Sequence, residues 1–81
     1  MNAQDIFAKV RTLVADEFRV EEDSITMETS FEEDLGADSV DLVDLIMMVE
    51  DEFDIDEVEE DELAGLKCVG DCVNFLINKL N

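Results

Sequence analysis

The chain has 81 residues, with 24 acidic and 5 basic side chains, no histidine and a formal net charge of −19. Apolar residues make up 47% of it, which suits one small domain, residues 1–81, with a core of its own and argues against intrinsic disorder. Phosphate backbones are bound by Lys and Arg, so nucleic acid is excluded as a partner. No apolar run approaches the roughly 18 residues that span a bilayer, and no basic or Arg-rich leader marks export or import. A cytoplasmic monomer without membrane insertion is expected. Proline is absent and there are only three glycines, which favours helices over a turn-rich β fold.

The first helix is predicted over Ala3 to Phe18, with Ile6, Phe7, Val10, Leu13, Val14 and Phe18 as its apolar stripe. Arg19 to Ala37 has no sustained period and reads as a long loop. Val20, Ile25, Met27, Phe31 and Leu35 recur along it, and several of them should pin it to the core. A second helix is predicted from Asp38 or Ser39 to Phe53, with Leu42, Leu45, Ile46, Val49 and Phe53 inward. Asp38 can cap it, with Asp41 three residues on in a capping box. Val58 to Ala64 offers one or two helical turns, with Leu63 inward and Gly65 at the C-cap. Leu66 should anchor the turn into a last helix over Cys68 to Leu80, whose stripe is Val69, Cys72, Val73, Leu76 and Leu80. The expected fold is all-α: a small four-helix bundle with three longer helices, one short third helix and a long loop between the first two.

Charge is unevenly placed. No basic residue lies between Arg19 and Lys67, and that stretch holds 20 of the 24 acids. It also carries periodic apolar residues, so it must fold and concentrate like charge, at a cost in stability. A field of this kind steers basic protein partners. The second helix has a further feature. Val40, Val43, Met47 and Met48 form a second apolar line, flanked by Asp41, Asp44, Glu50 and Asp51. Either the bundle wraps this helix on two sides, or the line is a docking surface with an acidic rim.

Enzymatic chemistry finds little support. Without histidine, Ser-His-Asp and Cys-His arrangements are excluded, and carboxylate pairs are too common here to be diagnostic. A calcium loop starting at Asp54 has Val58 at its fifth position, Glu59 where glycine is needed and Gly65 where a bidentate Glu is needed. Cys68 and Cys72, four residues apart on one helix, are poorly placed for a disulfide and too few for a zinc set. Both are expected to be buried and reduced.

The stretch Phe31-Glu32-Glu33-Asp34-Leu35-Gly36-Ala37-Asp38-Ser39, followed by an acidic amphipathic helix ending in Glu50-Asp51-Glu52-Phe53, resembles the acyl carrier protein family. The likeness extends over nearly the whole chain, and the order of helices and loop agrees. The family's usual Asp-Ser-Leu is here Asp38-Ser39-Val40. On local sequence alone, Ser39 could simply be a helix cap. The resemblance implies that it is the attachment point of covalent 4′-phosphopantetheine, with no catalytic residues and no metal site in the carrier itself.

The same resemblance assigns further roles. Asp38 would help a phosphopantetheinyl transferase recognise the serine. Asp41, Asp44, Glu50 and Asp51 would pair with basic docking patches on acyl-processing enzymes, and Val40, Val43 and Met47 would supply apolar docking contacts. Phe31, Leu35, Ile46, Val49, Leu63, Leu66, Val69 and Cys72 fall where the family lines an apolar cavity for the acyl chain. The sequence departs from the family in three places. Asp54 to Val58 is one residue longer and lacks the usual proline, Cys72 replaces a small residue, and Cys68 replaces a threonine. The function implied is transport of growing acyl chains as thioesters on Ser39 in fatty acid biosynthesis. The alternatives are a carrier of a polyketide or other specialised pathway, or an acidic calcium-binding or interaction protein with no prosthetic group.

Overall fold

The first helix opens at Asn2, whose side-chain oxygen accepts the Asp5 amide at 2.8 Å. This satisfies one of the N–H groups that a helix start leaves without a partner. The computed structural model describes residues 1–80; Asn81, the last residue of the expected domain, lies outside the described residues. Helix α1 spans Ala3–Phe18, α2 Ser39–Phe53, α3 Glu60–Ala64 and α4 Val69–Leu80. The predicted ends of α1 and α2 agree with these. Helix α3 starts two residues later than Val58, where the Glu59 amide donates to the Glu62 carboxylate at 3.2 Å. Helix α4 starts one residue after Cys68, because the Asp71 carboxylate accepts the amides of Lys67 and Cys68 at 3.0 and 3.3 Å.

Helix α1 packs against α4 and α2. Ile6, Val10 and Val14 meet Leu45, Ile46, Val49, Phe53, Val69, Cys72, Val73 and Leu76 in one buried core. Phe7, Leu13, Phe18 and Leu42 complete their stripes from half-buried positions at its edge. Leu80 is exposed, in the final turn of α4. The Cα radius of gyration is 11.3 Å, close to the roughly 12 Å expected of a compact domain of this length.

The long connection between α1 and α2 is ordered, with a 3-10 turn over Glu22–Ser24. Ile25 and Phe31 are buried, and Val20 and Leu35 pack at the core edge. Met27 departs from expectation, since its side chain stays exposed. Its backbone does the anchoring instead: the Met27 carbonyl accepts the Gly70 amide at 2.7 Å. The Val69 amide donates to Thr29 at 3.0 Å, and the Phe31 amide to Lys67 at 3.0 Å. A short antiparallel pairing of Ser30 with Cys68 lies between these bonds. The loop is thus fastened to the start of α4 by backbone as much as by side chains.

This close approach requires glycine at position 70. A Cβ there would lie 2.8 Å from the Met27 carbonyl oxygen, whereas one at Gly65 would meet nothing nearer than 3.5 Å. Gly70→Ala gains some helix propensity but must displace backbone, and overpacking of this kind costs about 1–3 kcal/mol. Chemical denaturation should show Gly70→Ala destabilised by about 1–2 kcal/mol, with Gly65→Ala within about 0.5 kcal/mol of the parent protein.

Candidate functional site

The segment leading into α2 bonds to itself. The Ser30 amide donates to the Asp34 carboxylate at 2.7 Å, and the Glu33 amide to the Ser30 hydroxyl at 3.1 Å. The Asp34 and Leu35 amides donate to the Ser30 carbonyl, Gly36 to Glu32, and Ala37 to Phe31 at 2.8 Å. Gly36 takes φ +64°, a left-handed conformation that glycine adopts at little cost. Buried Phe31 pins this series of turns to the core, and the turn at Gly36 aims the chain into α2.

Helix α2 begins in a reciprocal cap. The Asp41 amide donates to the Asp38 carboxylate at 2.9 Å, and the Asp38 amide to the Asp41 carboxylate at 3.2 Å. Asp38 is therefore the cap, and Ser39 is the first residue of the helix itself. Ser39 is exposed, and its hydroxyl is not used to close the helix end. Neither the Ser39 nor the Val40 amide has a hydrogen-bond acceptor among the described residues. Ser39 thus joins an available hydroxyl to open backbone N–H groups at the positive end of a helix.

Ser39 lies on a groove of about 490 Å³. Phe31, Ala37, Leu42, Leu63, Ala64 and Leu66 give it apolar wall, and Glu32, Glu33, Asp38, Glu60 and Lys67 surround that with charge. A second groove of about 660 Å³ runs beneath Val43 and Met47, where Ile46, Ile55, Val58 and Leu63 line it. Glu60 and Leu63 of α3 line both grooves.

The structure does not bring the eight residues of the expected apolar cavity together. Phe31, Leu63 and Leu66 line the first groove, and Ile46 and Leu63 the second. Val49, Val69 and Cys72 line neither and are packed into the core at 0–1% exposure. Leu35 sits at the core edge and borders neither groove. Sequence reasoning missed Leu42, Ala37 and Lys67 as groove residues. Leu42 had been given to the core by its spacing, and it is half-buried because it serves both. For Lys67 a signal did exist, since it ends the long stretch without a basic residue.

The second apolar line on α2 lies outside the bundle. Val40 is 65%, Val43 42% and Met47 58% exposed, while Met48 is half-buried. The acids beside them differ in what they do. Asp44 and Asp51 are exposed and make no side-chain bond to another described residue. Asp41 is occupied in the helix cap. Glu50 is half-buried, and its carboxylate accepts the Val58 amide at 2.7 Å. It fastens the connection to α3 from within α2.

Both cysteines are free thiols. Cys72 is buried as expected, but Cys68 is only half-buried, because it stands just outside the first turn of α4. No group of three or more His, Cys, Asp or Glu among the described residues is arranged to hold a metal ion. No helix among them is long and apolar enough to cross a membrane.

A bundle with an exposed serine opening an acidic helix is the architecture of a carrier domain, and the comparisons agree with it. The family model described as the phosphopantetheine attachment site matches residues 8–76. An acyl carrier protein of Lactobacillus acidophilus is 47% identical over 76 residues, or 94% of each chain. One of Petrotoga mobilis is 43% identical over 81 residues, covering all of this chain and 94% of that one. The solved acyl carrier protein of Enterococcus faecalis superposes with a TM-score of 0.79 at 25% identity, over 98% of this chain and 99% of that one. The chain belongs to the acyl carrier protein family. Its function is that of a non-catalytic acyl carrier, and its prosthetic group is covalent 4′-phosphopantetheine.

Burial, with a smaller contribution from the negative charge of Asp71, pushes the Cys72 thiol up from 9.0 to about 12. The folded state therefore keeps a proton that the unfolded chain gives up. This contribution to stability is complete below pH 9.0 and declines as pH rises from there towards about 12. A thiol reagent at neutral pH should label Cys68 first in the native protein. Cys72 should react only at the rate of unfolding, which a denaturant series read by mass spectrometry will show.

Proposed function

We propose that Ser39 carries the 4′-phosphopantetheine and that residues 1–81 act as a single monomeric carrier domain in the cytoplasm, serving fatty acid biosynthesis. The observation that carries this reading is the position of Ser39: exposed, first in α2, beside two open amides, and on the rim of a groove with apolar wall. These residues fit the group. Helix N–H groups favour the anionic phosphodiester that joins it to the protein. The apolar wall formed by Leu42, Leu63 and Leu66 suits the less polar chain beyond. When bound, the group supplies a terminal thiol on which acyl chains ride as thioesters.

A phosphopantetheinyl transferase, using coenzyme A and magnesium, would reach Ser39 without disturbing the fold. The helix cap belongs to Asp38 and Asp41, so the hydroxyl can be esterified with the helix end intact. Asp38 lies beside the serine and shares the recognition surface. Acyl-processing enzymes with basic patches would then dock along α2. Val40, Val43 and Met47 supply apolar contact, and Asp41, Asp44, Glu50 and Asp51 supply the negative field. The acyl chain has two places to shelter: the groove at Phe31, Leu63 and Leu66, and the groove at Ile46 and Leu63. Burial there is worth about 0.8 kcal/mol per methylene. Val49, Val69 and Cys72 belong to the packed core, and Leu35 packs at its edge.

Incubation with coenzyme A and a transferase should raise the intact mass by one phosphopantetheinyl group, and peptide mapping should place the gain on Ser39. Ser39→Ala should abolish loading while leaving stability within about 0.5 kcal/mol, as for other exposed positions. An unmodified Ser39 peptide after exposure to an active transferase would overturn the reading.

Docking should separate two kinds of acid on α2. Asp44→Lys removes a charge that supports nothing within the fold, so it should slow association with acyl-processing enzymes and leave the melt unchanged or raised. Glu50→Lys breaks the bond to the Val58 amide, at a cost of about 1–2 kcal/mol for a charge-assisted bond in a half-buried place. Stopped-flow association and thermal melts of the two variants check this directly.

A further inference from the structure

We propose that Lys67 is the cationic partner of the phosphodiester at Ser39 and holds the root of the prosthetic arm in the groove. The inference rests on Ser39 being the attachment residue. The first observation is one of charge. Glu32, Glu33, Asp38 and Glu60 line the groove that Ser39 borders, and among the described residues Lys67 is the only basic one that lines it. A phosphodiester formed there adds a further negative charge among four carboxylates. The open amides at Ser39 and Val40 oppose that repulsion from one side. Lys67 opposes it from another.

The second observation is availability. Lys9 pairs with Glu52 at 2.9 Å, Arg11 lies 3.7 Å from Glu22, and Lys79 lies 3.3 Å from Glu62. Lys67 makes no ion pair with a described carboxylate, although it shares a groove with four of them. Arg19 is likewise without an ion pair, but it closes α1 and does not line the groove.

The third observation is placement. The Lys67 carbonyl accepts the Phe31 amide at 3.0 Å, and its own amide donates to Asp71 at 3.0 Å. The same backbone that fastens the loop to α4 therefore fixes where this side chain starts. Phe31, which bonds to this backbone, and Leu66, its chain neighbour, are both buried. The ammonium is a flexible point charge with three donors, suited to the two non-bridging oxygens of a phosphodiester. Lys67 is a positioning residue: it narrows the range of the arm's root while the distal part stays free to swing.

The test uses the full chain loaded with phosphopantetheine, with loading at Ser39 verified by intact mass and peptide mapping. Phosphorus NMR of the loaded protein then reports on the phosphodiester directly. Lys67→Gln and Lys67→Glu should move its resonance and shorten the correlation time of the arm. Lys67→Arg should retain the parent signal, and Lys9→Gln, which alters a cation outside the groove, should leave it unmoved. Added salt should carry the parent resonance towards that of Lys67→Gln. Lys67→Gln should fold, because both hydrogen bonds at this position are made by its backbone. Should it unfold, the salt titration of the parent protein decides. An identical resonance and arm mobility in the parent, Gln and Glu forms overturns the inference while leaving attachment at Ser39 intact. Absence of any mass gain at Ser39 overturns both.

Discussion

Three backbone hydrogen bonds between the stretch 27–31 and the stretch 67–70 fix the position of everything around Ser39. Each has a net worth of only about 1 kcal/mol, so they set register more than they supply stability. Stability comes from the burial of Ile25 and Phe31 on either side of them. The arrangement explains why the connection over residues 19–38 is ordered without long secondary structure of its own. Its middle is fastened to α4, and its last third is closed by turns that bond back to Ser30, Phe31 and Glu32. Ser39 is therefore presented by a short lever from a fixed point. Replacing Gly70 strikes that fixed point from the side of α4.

The electrostatics follow the same division. Many acids are committed locally. Asp38 and Asp41 close α2, Asp34 binds the Ser30 amide, Asp71 closes α4, and Glu50 holds the Val58 amide. In each case a carboxylate accepts from backbone N–H groups, three times at a helix start, where negative charge is favoured. The acids also serve the tertiary structure. Glu62 accepts the Glu59 amide and faces Lys79 of α4, and the Glu59 bond chiefly, with Lys79 adding to it, holds its carboxyl below the usual value. On α2, Asp44 and Asp51 are left over and face solvent, in the same helix as exposed Val43 and Met47. A strongly negative chain can fold because part of its charge does structural bonding and the rest is spread over exposed surface.

Helix periodicity alone was enough to read α1, α2 and the body of α4. The capping box at Asp38 was legible because it is local and depends on spacing. What escaped the sequence were features that depend on another segment. Met27 looked like a hydrophobic anchor, but its carbonyl anchors and its side chain does not. The start of α4 was set by Asp71 reaching back to Lys67 and Cys68, a contact with no hydrophobic signal. The resemblance to a known family points to Ser39, which the structure places exposed at the start of α2, and the eight residues it assigns to a cavity divide here between groove wall and core. Val49, Val69 and Cys72 share the periodicity of Ile46 and Leu66, and periodicity states which face is inward, not whether that face meets a groove or another helix. That the bundle does not wrap the second apolar line on α2 is visible only in the exposure of Val40, Val43 and Met47.

Helix α3 occupies the decisive place between the two grooves. At five residues it is far below the roughly 12 needed for marginal stability in isolation, so tertiary contacts must hold it. Those contacts are few and of different kinds: Leu63 against the core, Glu62 with Lys79, and Glu50 holding the chain that enters it. The Glu62–Lys79 pair is largely open to solvent and contributes little, and Glu50 supplies a single charge-assisted hydrogen bond from a half-buried side chain. The wall shared by both grooves is thus held by few contacts. Ser39, by contrast, follows turns that bond back to buried Phe31.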